Sequence, residues 1–143
     1  MITKTLYQTE ATAVGGRDGH ARASDGSLNV WLGMPKELGG NGFGNNPEQL
    51  FAAGYAACFL SAMKNVARNG KHPSIPETAT VRAQVGIGPI NERAFGLAVT
   101  LRISLPGIVQ AAAEALVEDA HQACPYSNSV RGNIDVKLEV VAG

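Results

Sequence analysis

The chain has 143 residues, with 12 Lys plus Arg against 12 Asp plus Glu and so no net charge. That balance excludes a general phosphate-backbone binder and gives no attraction to an anionic membrane surface. The length fits one domain, residues 1–143, large enough to bury a core without staples.

Met1-Ile2-Thr3-Lys4-Thr5-Leu6-Tyr7 carries no apolar signal segment, and the longest apolar run, Leu50 to Met63, reads as too short to span a bilayer. The expectation is a cytoplasmic protein with neither membrane nor nucleic acid as a partner. In that compartment a permanent disulfide is unusual, so Cys58 and Cys124, the two cysteines, are expected to be free, catalytic or redox-sensing.

Taken in chain order, short strands are expected near Thr5–Val14, Gly19–Ala23 and Leu28–Leu32, joined at Gly15-Gly16-Arg17-Asp18-Gly19 and Ser24-Asp25-Gly26 by residues with turn chemistry. A loop, Gly39 to Asn45, contains Phe43 and matches no phosphate-binding pattern. Asn46-Pro47-Glu48 then opens a helix: Asn46 suits the N-cap, Pro47 the first position, and Glu48 the positive end of the dipole. The helix is expected to run to about Arg68, with Asn69-Gly70 as its stop.

Two strands follow, around Val81–Ile87 and Leu97–Leu105, each alternating apolar and polar side chains. A second helix starts near Pro106-Gly107, carries Ile108 through Ala123 and ends near Cys124, because Pro125 disfavours helical geometry in the residue before it. Ile134, Val136, Leu138 and Val140 alternate in a last strand. The order βββ-α-ββ-α-β is an α+β fold. The first helix is apolar nearly all round, so it must be covered on most sides; the expectation is a homodimer that buries the two central helices together.

The chemistry gathers at the cysteines. Cys58 lies deep in the apolar helix, and Cys124 runs into Pro125-Tyr126-Ser127-Asn128. One buried thiol and one helix-end thiol suit a peroxide-reducing pair, in which one sulfur is oxidised and the other captures it. Burial raises a thiol's pKa, so a catalytic Cys58 needs a cation, and Arg17 in its glycine turn is the candidate. A guanidinium entering an apolar pocket wants a bidentate carboxylate, and Glu48 fits. Glu48 and Cys58 are ten residues apart, ~15 Å along a helix. If Arg17, Glu48 and Cys58 form one site, Glu48 comes from the other subunit.

Over essentially its whole length the chain resembles the organic hydroperoxide resistance branch of the OsmC/Ohr family. The motifs that carry the likeness are Gly15-Gly16-Arg17-Asp18-Gly19, the run Asn46-Pro47-Glu48 through Cys58-Phe59, and Cys124-Pro125-Tyr126-Ser127-Asn128 with Arg131-Gly132-Asn133. The resemblance implies an intertwined homodimer and an antioxidant stress-response enzyme, a thiol peroxidase reducing organic and fatty-acid hydroperoxides. Cys58 would be the peroxidatic thiol, Cys124 the resolving thiol, and Arg17 with Glu48 the activating pair. The resulting disulfide would be recycled by dihydrolipoyl groups of lipoylated proteins, with no cofactor. Phe51, Tyr55, Phe59, Tyr126 and Phe43 are the expected pocket walls, favouring a hydrocarbon tail.

Each residue also has a plainer reading. Cys58 could be inert core, Arg17 and Asp18 a solvated turn, Glu48 a helix-dipole residue, the aromatics core, and His121, three residues before Cys124, a surface histidine. Without CxxC or HxxxH spacing no metal site is expected, and without G-x-S-x-G no serine hydrolase. The remaining competitor is a redox sensor or small-ligand binder that uses the same two thiols as a switch.

Overall fold

Strand alternation is clearest on β5 (Phe95–Leu105), where Val99, Leu101, Ile103 and Leu105 are buried and Ala98, Thr100, Arg102 and Ser104 are not. In this computed structural model, which describes residues 1–143, contacts group the chain into two units, Met1–Leu50 and Phe51–Gly143.

In the first unit, β1 (Ala11–Val14), β2 (His20–Ala23) and β3 (Asn29–Trp31) form an antiparallel sheet in sequence order. The chain leaves β1 through Gly15 and Gly16, both at positive φ (79° and 61°), into a 3₁₀ turn at Gly16–Asp18. Gly19 closes that turn, and a Cβ there would fall 1.7 Å from the Val14 carbonyl oxygen. β1 is shorter than the expected Thr5–Val14, because its ladder with β2 ends at Ala11↔Ala23, with one further bond from the Ser24 N–H to the Glu10 carbonyl oxygen. Gly33 is the unit's only buried residue, and Trp31 and Phe43 are 74 % and 78 % exposed.

The second unit holds a sheet in the order β4-β5-β6. β4 (Thr80–Pro89) and β5 form an antiparallel hairpin, whereas β6 (Val136–Ala142) runs parallel to β5. A parallel neighbour requires a crossover, supplied by α2 (Gln110–Ala123) and α3 (Pro125–Val130). Ala113, Leu116, Val117 and Ala120 of α2 meet the inner face of β5 in one apolar core, together with Tyr55, Phe59 and Met63.

These last three belong to α1 (Pro47–Val66), whose start follows from a reciprocal cap. The Gln49 N–H donates to Asn46 Oδ1 at 2.8 Å, and the Asn46 N–H donates to Gln49 Oε1 at 3.1 Å, so two otherwise orphaned donors are satisfied. The helix ends in a wider turn, Ala67–Lys71, with Gly70 left-handed at φ 86°.

Three details differ from the sequence expectation. The helical run Pro47–Lys71 is 25 residues long, and its most apolar stretch, with a mean hydropathy of 1.3, is long and apolar enough to cross a membrane. Tyr55, Phe59, Ala62 and Met63 of that run are core residues of the second unit. α2 begins at Gln110 rather than at Pro106-Gly107, since Gly107 turns the chain at φ 80° and sends Ile108 into the core. α3 was not expected at all. The α+β class stands, with the order βββ-α-ββ-αα-β.

Candidate active site

Two constellations hold the residues picked out from the sequence, one in each unit. In the first unit the 3₁₀ turn presents Arg17 to the start of α1. Arg17 Nη1 donates to Glu48 Oε2 at 2.8 Å and Nη2 to Glu48 Oε1 at 2.7 Å. This fork-on-fork pairing fixes the plane of the guanidinium. The Arg17 hydrogen bond holds the Glu48 carboxyl below the usual carboxylate range, against the opposing effect of burial. Glu48 in turn raises the pKa of Arg17. The Arg17–Glu48 pair forms within one chain, so the carboxylate and the guanidinium travel together. Asp18 supports the turn by accepting the Met34 N–H at 3.3 Å.

The second unit holds the thiols. Cys124 is wholly buried and caps α3 at φ −67°, ψ 124°, the extended geometry that Pro125 imposes. Cys58, half-buried on α1, neighbours Cys124, and both cysteines are unbridged. Burial is the largest influence on Cys58 and pushes its pKa up, against a smaller lowering by the Tyr126 backbone N–H. Within this chain the Cys58 thiolate therefore lacks full compensation for desolvation.

Aromatic rings line this thiol pair. The Phe51, Tyr55 and Tyr126 centroids lie 5.6–6.0 Å apart in tilted and edge-on contacts. Tyr126 can lie against α1 because position 54 is glycine: a Cβ there would come within 2.5 Å of the Tyr126 hydroxyl oxygen. Gly54 is one helical turn before Cys58. Tyr55 and Phe59 are wholly buried, Phe51 and Tyr126 partly. Phe43, exposed in the first unit, is not among these rings.

Sequence reasoning missed a polar chain beside the sulfurs. Ser127, wholly buried, hydrogen-bonds the Tyr55 hydroxyl at 2.8 Å and His121 Nδ1 at 2.8 Å. His121 is thus satisfied by a hydrogen bond, as expected, but half-buried rather than on the surface. Its pKa is lowered by burial first and by Arg131 second. Its spacing to Cys124 was the one available signal. The His72 side chain, only 10 % exposed, pairs with Asp119 at 2.6 Å. No three His, Cys, Asp or Glu side chains converge in a set that could hold a metal ion.

Residues 39–139 match the family model described as OsmC-like protein. An organic hydroperoxide resistance protein from Xanthomonas axonopodis pv. citri is 54 % identical over 136 residues, covering 94 % of each chain. A crystal structure of an organic hydroperoxide resistance protein from Legionella pneumophila superposes with a TM-score of 0.90 at 52 % identity, covering 96 % of this chain and 98 % of that one. The structure of OhrB from Bacillus subtilis gives 0.85 at 40 % identity, covering 96 % and 100 %. Both the family match and the relatives place the chain in one group: it belongs to the OsmC-like family, in its organic hydroperoxide resistance (Ohr) branch.

Proposed function

We propose that the protein is a cysteine-based peroxidase that reduces organic hydroperoxides to alcohols and so detoxifies them. The observation that carries this reading is the pair of free, neighbouring thiols, Cys58 and Cys124, in a core that also holds Phe51, Tyr55, Phe59 and Tyr126. The relatives are named for resistance to organic hydroperoxides, which supports that substrate class. Phe51 and Tyr126 offer an apolar surface to a hydrocarbon tail, with Tyr55 and Phe59 packed behind them.

In the proposed cycle the Cys58 thiolate attacks the distal peroxide oxygen. The O–O bond breaks, the departing alkoxide takes up a proton to leave as alcohol, and the sulfur becomes a sulfenic acid. The Cys124 sulfur then attacks the Cys58 sulfur. An S–S bond forms, the S–O bond breaks, and the hydroxide departs as water with the Cys124 proton. A dithiol reductant, for which the family resemblance suggests dihydrolipoyl groups on lipoylated proteins, reopens the disulfide in a reducing, cytoplasmic setting.

Arg17 would stabilise both the Cys58 thiolate and the developing alkoxide. Because Arg17 is clamped on Glu48, and Glu48 is ten residues from Cys58 along α1 (~15 Å of rise), the clamp is proposed to serve the Cys58 of a second copy. The protein would then be a homodimer in which residues 1–143 act as one catalytic domain. The exposed Trp31 and Phe43 of a unit whose only buried residue is Gly33 support such an assembly.

The test is steady-state consumption of cumene hydroperoxide and of hydrogen peroxide, with dihydrolipoamide, beside Cys58→Ser and Cys124→Ser. Continuous turnover of the organic peroxide that vanishes in Cys58→Ser is expected, with Cys124→Ser stalling after one equivalent. A wild-type protein that itself stops after one equivalent is a switch, and the peroxidase reading fails.

A further inference from the structure

The core of the second unit contains two hydroxyls that packing alone does not call for. Tyr55 and Ser127 are both wholly buried, and phenylalanine and alanine would fill nearly the same space at no desolvation cost. Burying them is tolerable because they bond each other, 2.8 Å apart, and Ser127 also bonds His121 Nδ1 at 2.8 Å. The chain joins three helices: Tyr55 stands on α1, His121 in the last turn of α2, and Ser127 in α3.

The register of that link is what matters. Tyr55 precedes Cys58 by three residues, and Ser127 follows Cys124 by three. The Tyr55–Ser127 bond and the Cys58–Cys124 contact are therefore two parallel ties between α1 and the start of α3, about one helical turn apart. Arg131 braces the far end, donating through Nη2 to the His121 carbonyl oxygen at 2.7 Å and through Nη1 to Asn128 Oδ1. The serine has one proton to give. Tyr55 O–H donating to Ser127 Oγ and Ser127 O–H donating to His121 Nδ1 gives both buried hydroxyl protons an acceptor, whereas the reverse order would leave the Tyr55 proton without one.

We propose that Ser127 is a positioning residue for disulfide formation: bridging Tyr55 and His121, it holds the first turn of α3, and Cys124 with it, in bonding reach of Cys58. The inference rests on the peroxidase reading and adds a role that the thiols themselves do not supply. The hydroxyl bridge is untouched when Cys58 becomes a sulfenic acid, and it keeps α3 seated. The S–S bond then forms as the S–O bond breaks and water leaves. A disulfide admits a narrow range of Cβ separations and dihedral angles, so a small drift of α3 slows that step.

The experiment follows one turnover with one equivalent of cumene hydroperoxide, in wild type, Tyr55→Phe, Ser127→Ala and the double variant. Sulfenic acid is trapped with dimedone, disulfide is quantified by mass after alkylation, and the ratio of the two rates is read. Each single variant is expected to lower the ratio of disulfide formation to sulfenic acid formation by ~10-fold, the scale of one lost buried hydrogen bond. The double variant is expected to be no worse than the poorer single one, because all three break the same link. An unchanged ratio in a protein whose wild type turns over overturns the positioning role alone, as does a fully multiplicative double variant. A wild type that reduces no hydroperoxide overturns the peroxidase reading beneath it. If Ser127→Ala fails to fold, Tyr55→Phe, which keeps its ring, decides the matter.

Discussion

Arg17 and Glu48 are joined by two parallel hydrogen bonds of 2.8 and 2.7 Å, tying a glycine-bounded turn to the second residue of α1. The carboxylate does more than favour the helix dipole: it fixes where the guanidinium head stands and which way its face is turned. Glu48→Gln keeps the size of the side chain but turns one acceptor into a donor, so the fork is lost. Peroxidase kcat/KM is expected to drop by ~10- to 100-fold, within the range for misplacing a charge-stabilising group. A variant with wild-type kcat/KM would remove Glu48 from the machinery.

The same pair predicts an acid dependence. Arg17 depresses the pKa of Glu48 in the folded chain. A depressed carboxylate contributes stability that is complete above its unfolded value, ~4.3, and is lost as pH falls through its lower folded value. Urea midpoints measured from pH 7 downward should therefore fall more steeply in wild type than in Glu48→Gln once pH passes below the ordinary carboxylate range. Parallel curves would mean that the pair adds nothing to stability. Arg17 is partly exposed, so screening keeps the difference small.

Gly54→Ala sets two effects against each other. Alanine is the better helix former by ~1 kcal/mol. Its methyl group, however, would sit 2.5 Å from the Tyr126 hydroxyl oxygen and 3.0 Å from the ring carbon that bears it. Tyr126 cannot swing aside freely, because its ring is held between Phe51 and Tyr55. Overpacking of this kind costs ~1–3 kcal/mol, so net destabilisation is expected in thermal or chemical unfolding. Cys58 oxidation should also slow, since the Tyr126 backbone N–H lowers the pKa of that thiol. A stabilised variant would show that Tyr126 yields at no cost.

Much of this layout was legible because its signals are local. The alternation on β5 reports its buried face directly, and Asn46 with Gln49 closes a cap within four residues. α3 was not legible, because Pro125-Tyr126-Ser127-Asn128 has the composition of a turn. It becomes helical where Cys124 caps it and Tyr126 and Ser127 pack on α1. The Tyr55–Ser127 bond spans 72 residues, and no periodicity encodes it. Arg17 and Glu48 lay between these cases: their partnership follows from charge logic and family resemblance, whereas its closure within one chain is a fact of the fold.

Cys58 alkylation offers a further check. Burial raises the pKa of this thiol, so thiolate-dependent alkylation has its midpoint above that of an ordinary cysteine unless a cation intervenes. If Arg17 acts on Cys58, Arg17→Ala should move the iodoacetamide rate–pH midpoint to higher pH, read in a Cys124→Ser background so that one thiol reports. An unmoved midpoint would leave the Tyr126 N–H as the working stabiliser.

Whether the clamp works across subunits can be decided by mixing two inactive proteins. Arg17→Ala retains Cys58 but lacks the guanidinium; Cys58→Ser retains the Arg17–Glu48 pair but lacks the thiol. In a two-fold dimer with sites shared between chains, the mixed species pairs the intact clamp of one chain with the intact thiol of the other, giving one working site of two. Random assortment on co-expression makes about half the dimers mixed, so activity should return to roughly a quarter of wild type. If each chain serves its own thiol, every chain in the mixture lacks one partner and no activity returns. The quarter is a ceiling that poor exchange can only lower, so co-expression, rather than mixing of folded dimers, is the form in which silence counts against the shared site.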